Sequence, residues 1–240
     1  MSELRILGCV LLMLLWGQKL YAKECPDPQL LGARYQITSN DAKGDRKESF
    51  NLWRKPNLVA HERPAQKVTD IWNHLRDGRT RPIRYFDGDQ RAIEYQPGEV
   101  KNQSWEIQNQ LLSSDWLQAL TLVEEKGVGC WREQIYRLSA NKQPTQTLIW
   151  LPELKLVKAF DQVVNSNIRH WELINVESDP ATVAKEFAQR DSYLSTDFID
   201  IGDNESDPFL RQMINLGFVE HAETGFYDAH GHSMSGKHQH

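Results

Sequence analysis

The densest set of metal-ligating side chains in this sequence closes it: HAETGFYDAHGHSMSGKHQH carries His221, His230, His232, His238 and His240 around Met234. Neutral imidazole is the commonest metal ligand near neutral pH, and a thioether adds a soft donor, so His230, His232, Met234, His238 and His240 form a candidate site for Cu(II), Zn(II) or Ni(II). Residues 228–240 lack any periodicity and read as a disordered tail, which a metal would first have to organise at a cost in affinity. Functional metal collection and weak adventitious binding both remain open. The interrupted pattern reads as native sequence, since an engineered tag is an unbroken histidine run.

A second set is acidic. DFIDIGDNESD places Asp197, Asp200, Asp203, Glu205 and Asp207 close together, and Asp203, Glu205 and Asp207 fit the first, third and fifth places of a calcium loop. The template then fails, because Pro208 replaces the turn glycine and Ile214 stands where a bidentate Glu belongs. Two uses are left: Asp207 as the cap of a following helix, or Asp200, Asp203 and Asp207 as a docking surface interleaved with Phe198, Ile199, Ile201, Phe209 and Leu210.

The cysteines depend on the amino terminus. Arg5 precedes the apolar run Ile6–Trp16, about eleven residues against the roughly twenty that span a membrane. Leu20-Tyr21-Ala22 then supplies a small residue for signal peptidase, so residues 1–22 read as a signal peptide cleaved after Ala22. Cys9 leaves with it. Cys25 and Cys130 remain for an oxidising compartment, and one disulfide between them closes a loop of about a hundred residues, for about 4.7 kcal/mol.

Catalytic signatures are missing: there is no G-x-S-x-G, H-E-x-x-H, phosphate loop or G-x-G-x-x-G, and no C-x-x-C. A non-enzymatic protein with no required cofactor is expected. A formal net charge of −5 argues against a nucleic-acid partner, and no second long apolar stretch anchors the mature chain. His61, His74 and His170 alternate with apolar neighbours and read as surface or rim residues. Trp53, Trp72, Trp150 and Trp171 fall in strand-like sequence, where large rings either floor an apolar pocket or fill a core.

The elements that must position these residues are strands, helices, then strands. Residues 33–100 alternate in short runs such as ARYQITS and SFNLWR, and Asp77-Gly78 and Asp87-Gly88 punctuate them as hairpin turns. From Ser104 to Lys126 the period changes, with Ile107, Leu111, Leu112, Trp116, Leu117, Leu120 and Val123 on one helical face; Ser113-Ser114-Asp115 is a point where it could divide. REQIYRLS, TQTLIWLPE, LKLVKAFDQV and IRHWELINV restore strand character. Asp179-Pro180 and Asp207-Pro208 then start two helices.

A leader, an Asp-Gly meander, a central helical segment and a second meander containing LIWLPELKLV over roughly residues 30–177 resemble the periplasmic lipoprotein-carrier superfamily. The resemblance implies an α+β fold: a strongly curved antiparallel sheet, an unclosed half-barrel wrapped around central helices with an apolar concavity between them. The expected organisation is 1–22 signal peptide, 23–177 curved sheet with helices, 178–227 helical and acidic extension, and 228–240 tail. The expected function is a periplasmic carrier for an apolar or lipid-like ligand or a lipidated protein. Two alternatives stand beside it: a metal-handling accessory using the tail, and an assembly factor that docks an envelope protein through 197–227.

Overall fold

The computed structural model describes residues 25–41, 44–100, 104–138, 146–164, 167–201 and 206–215. The first meander supplies β1 (Leu31–Asp41), β2 (Gly44–Lys55), β3 (Leu58–Arg63), β4 (Val68–His74), β5 (Thr80–Phe86) and β6 (Arg91–Glu94). Two short helices follow, α1 (Trp105–Gln110) and α2 (Ser114–Ala119). The second meander is β7 (Thr121–Lys126), β8 (Glu133–Leu138), β9 (Gln146–Leu151), β10 (Leu156–Val164) and β11 (Asn167–Glu177). The chain then adds α3 (Pro180–Ala188), β12 (Leu194–Asp197) and α4 (Pro208–Asn215).

Among the described residues the twelve strands form one sheet in the order β12-β6-β5-β4-β3-β2-β1-β11-β10-β9-β8-β7. The first and last long strands of the body, β1 and β11, pair antiparallel and weld the two meanders into one surface. Only the short β12 runs parallel to its neighbour, β6. The sheet does not close, because β7 and β12 are its two ends. Register shifts at Arg34/Tyr35, Val157/Ala159 and Leu122/Glu124 mark bulges, which increase twist and bend a sheet around what it covers. The expected α+β half-barrel is the fold found.

Strand alternation divides the side chains between two faces. Tyr35, Phe50, Leu52, Val59, Trp72, Trp150, Phe160 and Trp171 point inward and pack with Leu111, Leu112 and Leu120 of the helical segment. Farther along the same face Val68, Phe86, Ile93 and Tyr95 meet Val100, Ile201 and Leu210. The outer face carries Trp53, Ala60 and Ile71, covered by Val183 and Phe187 of α3. Gly32 is needed there: a Cβ at this position would sit 2.3 Å from the Trp53 ring.

Two expectations, on the length of the central helix and on His61, are corrected. The central helix does not continue to Lys126: α2 ends at Leu120, and Thr121–Lys126 pairs with β8 as an edge strand. Thr121 and Val123 are β-branched and favour that outcome, although their spacing also fits a helical face. His74 packs at the rim as expected, and the Asp87-Gly88 turn joins β5 to β6 as expected, with Gln90 as its left-handed residue. His61 is buried rather than on a rim.

The segment after Glu177 is knitted into the sheet. Asp179 caps α3 through the amides of Ala181 and Thr182. Just beyond α3, the buried Arg190 donates to Asp87 (2.8 Å) and to the Thr69 hydroxyl (2.8 Å), fastening the segment to the β5–β6 turn. Asp207 caps α4 through the Phe209 amide and accepts a 2.7 Å bond from Arg91. The expected disulfide is present, with Cα atoms of Cys25 and Cys130 5.3 Å apart.

Candidate functional site

The site is built by the two helices that sit on the inner face. Ser104 and Ser113 cap α1 and α2 through the amides of Ile107 and Trp116. Leu111 takes the left-handed conformation that terminates α1, so the chain turns at once into α2. The Glu106 carboxylate staples the pair, accepting from Gln110 Nε2 and from the Ser114 hydroxyl. Each helix has six residues, too few to hold its shape alone, so tertiary contacts must hold the plug in place.

Two side chains from the sheet supply those contacts. His61 Nε2 is 2.7 Å from the carbonyl of Gln108, and since a carbonyl only accepts, that nitrogen carries the proton. Burial drives the His61 pKa down to about 3, with the Arg63 charge adding to the effect, so the ring is neutral at physiological pH. Arg54 is completely buried, and it donates to the carbonyls of Asn109 (2.6 Å), Lys155 (2.6 Å), Leu154 (2.9 Å) and Pro28 (3.1 Å). One guanidinium thereby ties α1, the β9–β10 turn and the amino-terminal segment together. At the rim, His74 stacks on Trp105 with ring centres 4.8 Å apart.

Between plug and sheet lies a cleft of about 330 Å³. Trp105, Leu117, Trp150 and Pro152 give it apolar walls, and Glu106, Asn109, Gln110, Ser114 and Lys155 line the remainder. The rest of the inner face is filled rather than hollow, since the plug leucines occupy the expected concavity. Beneath α1 the filling is aromatic: His61 lies 4.4 Å from Trp72 and 5.2 Å from Phe50, and Phe50 lies 5.5 Å from Trp171. Beside it Asp70 accepts from both Arg63 and Arg84. Desolvation would raise the Asp70 pKa, but the two guanidiniums prevail and hold it well below the ordinary carboxylate range.

The four tryptophans proposed as pocket walls therefore separate. Trp150 lines the cleft; Trp72 and Trp171 share its face but lie in the packed floor. Trp53 is on the outer face, one residue out of phase with Leu52, where it donates to Glu62. Of the docking residues, Asp207 is spent on the α4 cap and Arg91. Asp200 lines a separate polar cleft of about 440 Å³ with Arg81, Glu94, Gln96, Ser195, Thr196 and Asp197. Asp203 lies outside the described residues, as do residues 1–22, read above as a signal peptide, and His230, His232, Met234, His238 and His240. Among the described residues no group of His, Cys, Asp or Glu is placed to hold a metal, and no helix is long and apolar enough to cross a membrane.

Sequence reasoning missed Arg54, His61, Trp105, Leu117 and Lys155. A signal existed for two of them. Arg54 is in phase with Phe50 and Leu52, and His61 with Val59, so strand alternation alone points both side chains into the core.

No family model and no curated protein matches the sequence. Solved structures do resemble it. PNGF-II aligns over 70% of this chain at 10% identity and TM-score 0.38, the chain spanning 30% of that protein's length. A putative outer membrane lipoprotein-sorting protein domain from Vibrio parahaemolyticus aligns over 65% of this chain and 90% of its own, at 6% identity and TM-score 0.30. MucB, solved in complex with MucA(peri), aligns over 62% of this chain and half of its own length (50%), at 11% identity and TM-score 0.31. The functional reading rests on the geometry of the cleft.

Proposed function

We propose that this is a non-catalytic binding or carrier protein of the bacterial periplasm. Its cleft between the helical plug and the half-barrel takes an apolar or lipid-like ligand, or the lipid-modified end of a client protein. The observation that carries the reading is the cleft itself: Trp105, Leu117, Trp150 and Pro152 beside five polar residues, with a volume at the lower end of the usual ligand-site range, above a large hydrophobic cluster. Burial of acyl carbon there contributes about 0.8 kcal/mol per CH₂. The leader and the disulfide support an exported, oxidising location.

Native mass spectrometry of gently purified protein, together with titration of a fluorescent fatty acid, tests the reading. Bound acyl ligand and a loss of about tenfold or more in probe affinity for Trp105→Ala are expected. Chemical denaturation of the same variant controls for folding. A protein that is always ligand-free and indifferent to acyl probes ends the proposal.

A second reading, docking of an envelope partner through the segment from Asp197, draws on the exposure of Leu194 (64%) and Ile199 (75%) beside the acidic cleft. Charge reversal at Asp200 and Asp203 in a pull-down is its test. Asp207 is unsuitable, since reversal there would remove the α4 cap.

A further inference from the structure

We infer that the cleft selects anionic amphiphiles, holding the carboxylate or phosphate head of its ligand beside Lys155 and in front of the buried guanidinium of Arg54. This rests on the reading of the cleft as the ligand site and adds the charge of the head group.

Arg54 differs from the other buried and half-buried arginines. Arg63 and Arg84 share Asp70, Arg190 pairs with Asp87, and Arg169 lies 3.7 Å from Glu48. Arg54 is as deeply buried, yet its partners are the neutral carbonyls of Pro28, Asn109, Leu154 and Lys155, and among the described residues no carboxylate pairs with it. Carbonyl dipoles solvate a guanidinium without cancelling its charge, and in a low-dielectric interior an uncancelled charge acts over several ångströms. Burial lowers its pKa only to about 10, so the charge persists at neutral pH.

Arg54 does not itself line the cleft, but two of the residues that accept from it do. Asn109 and Lys155 line the cleft, and their carbonyls are each 2.6 Å from Arg54. Lys155 adds a second cation from a turn position with φ of 50°, opposite the helical wall. The acid of the cleft, Glu106, is on the plug side and already accepts from Gln110 and Ser114. Glu153, also of the β9–β10 turn, is paired with Arg132 at 3.0 Å, so Lys155 and Arg54 leave an excess of positive charge at that turn, across the cleft from Glu106.

The test compares compounds with one acyl chain and different heads, using the full mature chain below micellar concentrations: hexadecanoate, hexadecyl phosphate, hexadecanol and hexadecyltrimethylammonium, with inorganic phosphate alone as a further arm. The acid and the phosphate ester should bind at least about tenfold more tightly than the alcohol, and the cation more weakly than the alcohol. Added salt should weaken the anions selectively. Lys155→Asn, chosen because Asn tolerates the left-handed backbone, should bring the acid-to-alcohol ratio toward one. Equal binding of acid and alcohol, or an unchanged ratio in the variant, overturns the head-group inference and leaves the apolar cleft standing. If no acyl compound binds, the cleft reading fails and takes this inference with it. Inorganic phosphate binding as tightly as its hexadecyl ester would show an anion site with no acyl component, which also overturns it.

Discussion

Replacing Arg54 with Met keeps much of the side-chain volume and removes the donors. Four carbonyls, those of Pro28, Asn109, Leu154 and Lys155, then lose their partner. Hydrogen bonds to a charged group contribute about 1.5–3 kcal/mol each, so the gross loss is on the order of 6–12 kcal/mol. Relief from burying an uncompensated guanidinium offsets several kcal/mol of that. Water reaching the exposed side of the β9–β10 turn recovers more. A net destabilisation of about 3–5 kcal/mol is the expectation, read as a fall in the urea midpoint of about 1–2 M with the slope unchanged. Arg54→Lys should fall between, because an ammonium cannot reach carbonyls on three separate segments with one planar fork. Hydrogen exchange gives the local readout: amides of residues 104–119 should exchange faster in Arg54→Met by more than those of β3 and β4. A variant within about 0.5 kcal/mol of the parent, with unchanged protection over 104–119, would refute the claim that this guanidinium holds the plug.

Three further outcomes are expected. Cys25→Ser/Cys130→Ser opens a loop with a sequence separation of 105, and should cost about 4–5 kcal/mol by the chain-entropy argument, seen as a lower denaturation midpoint than that of the oxidised parent. His61 has a folded pKa depressed to about 3 against an ordinary value near 6.5, so between those pH values only the unfolded chain takes up the proton. Stability should therefore fall on acidification from about pH 6.5 toward 3, with this residue contributing up to about 1.4 kcal/mol per pH unit, and His61→Gln should flatten that part of a stability-versus-pH curve. We propose that residues 229–240 supply the metal-binding capacity expected of the His/Met tail; calorimetry with Cu(II), Zn(II) and Ni(II) should then show binding by the full chain and none after truncation.

Much of the half-barrel was legible because its strands alternate cleanly. Tyr35 and Ile37, Phe50 and Leu52, and Trp150 with Leu148 all fall on the inner face as a period of two requires. The Asp179 and Asp207 caps were legible for an equally local reason, an acceptor one residue before proline at a helix start. What was illegible depended on long-range pairing. Leu194–Asp197 has no pattern of its own, and it becomes a strand because β6 offers an open edge after Arg190 has anchored the preceding turn. The assignment of four tryptophans to one pocket failed at Trp53 for want of applying the alternation rule, since Leu52 points inward and its neighbour must point out.

The site shows where pattern reading is weakest. A polar residue in an inward register looks like noise in an apolar alternation, yet Arg54 and His61 occupy such registers and hold the two carbonyls at the end of α1. Burying a guanidinium without a carboxylate is costly, so its persistence at a central strand position needs a compensating use. Two uses are consistent with the bonds it makes. It fixes a plug too short to fold alone, and it leaves a positive charge behind the wall of the cleft. The perturbations separate them: Arg54→Met should release the plug and weaken head-group selectivity together, whereas Lys155→Asn should reduce selectivity with little change in protection over 104–119. A Lys155→Asn variant whose plug exchanges as fast as that of Arg54→Met would merge the two uses into one, and the head-group role would then have no independent support.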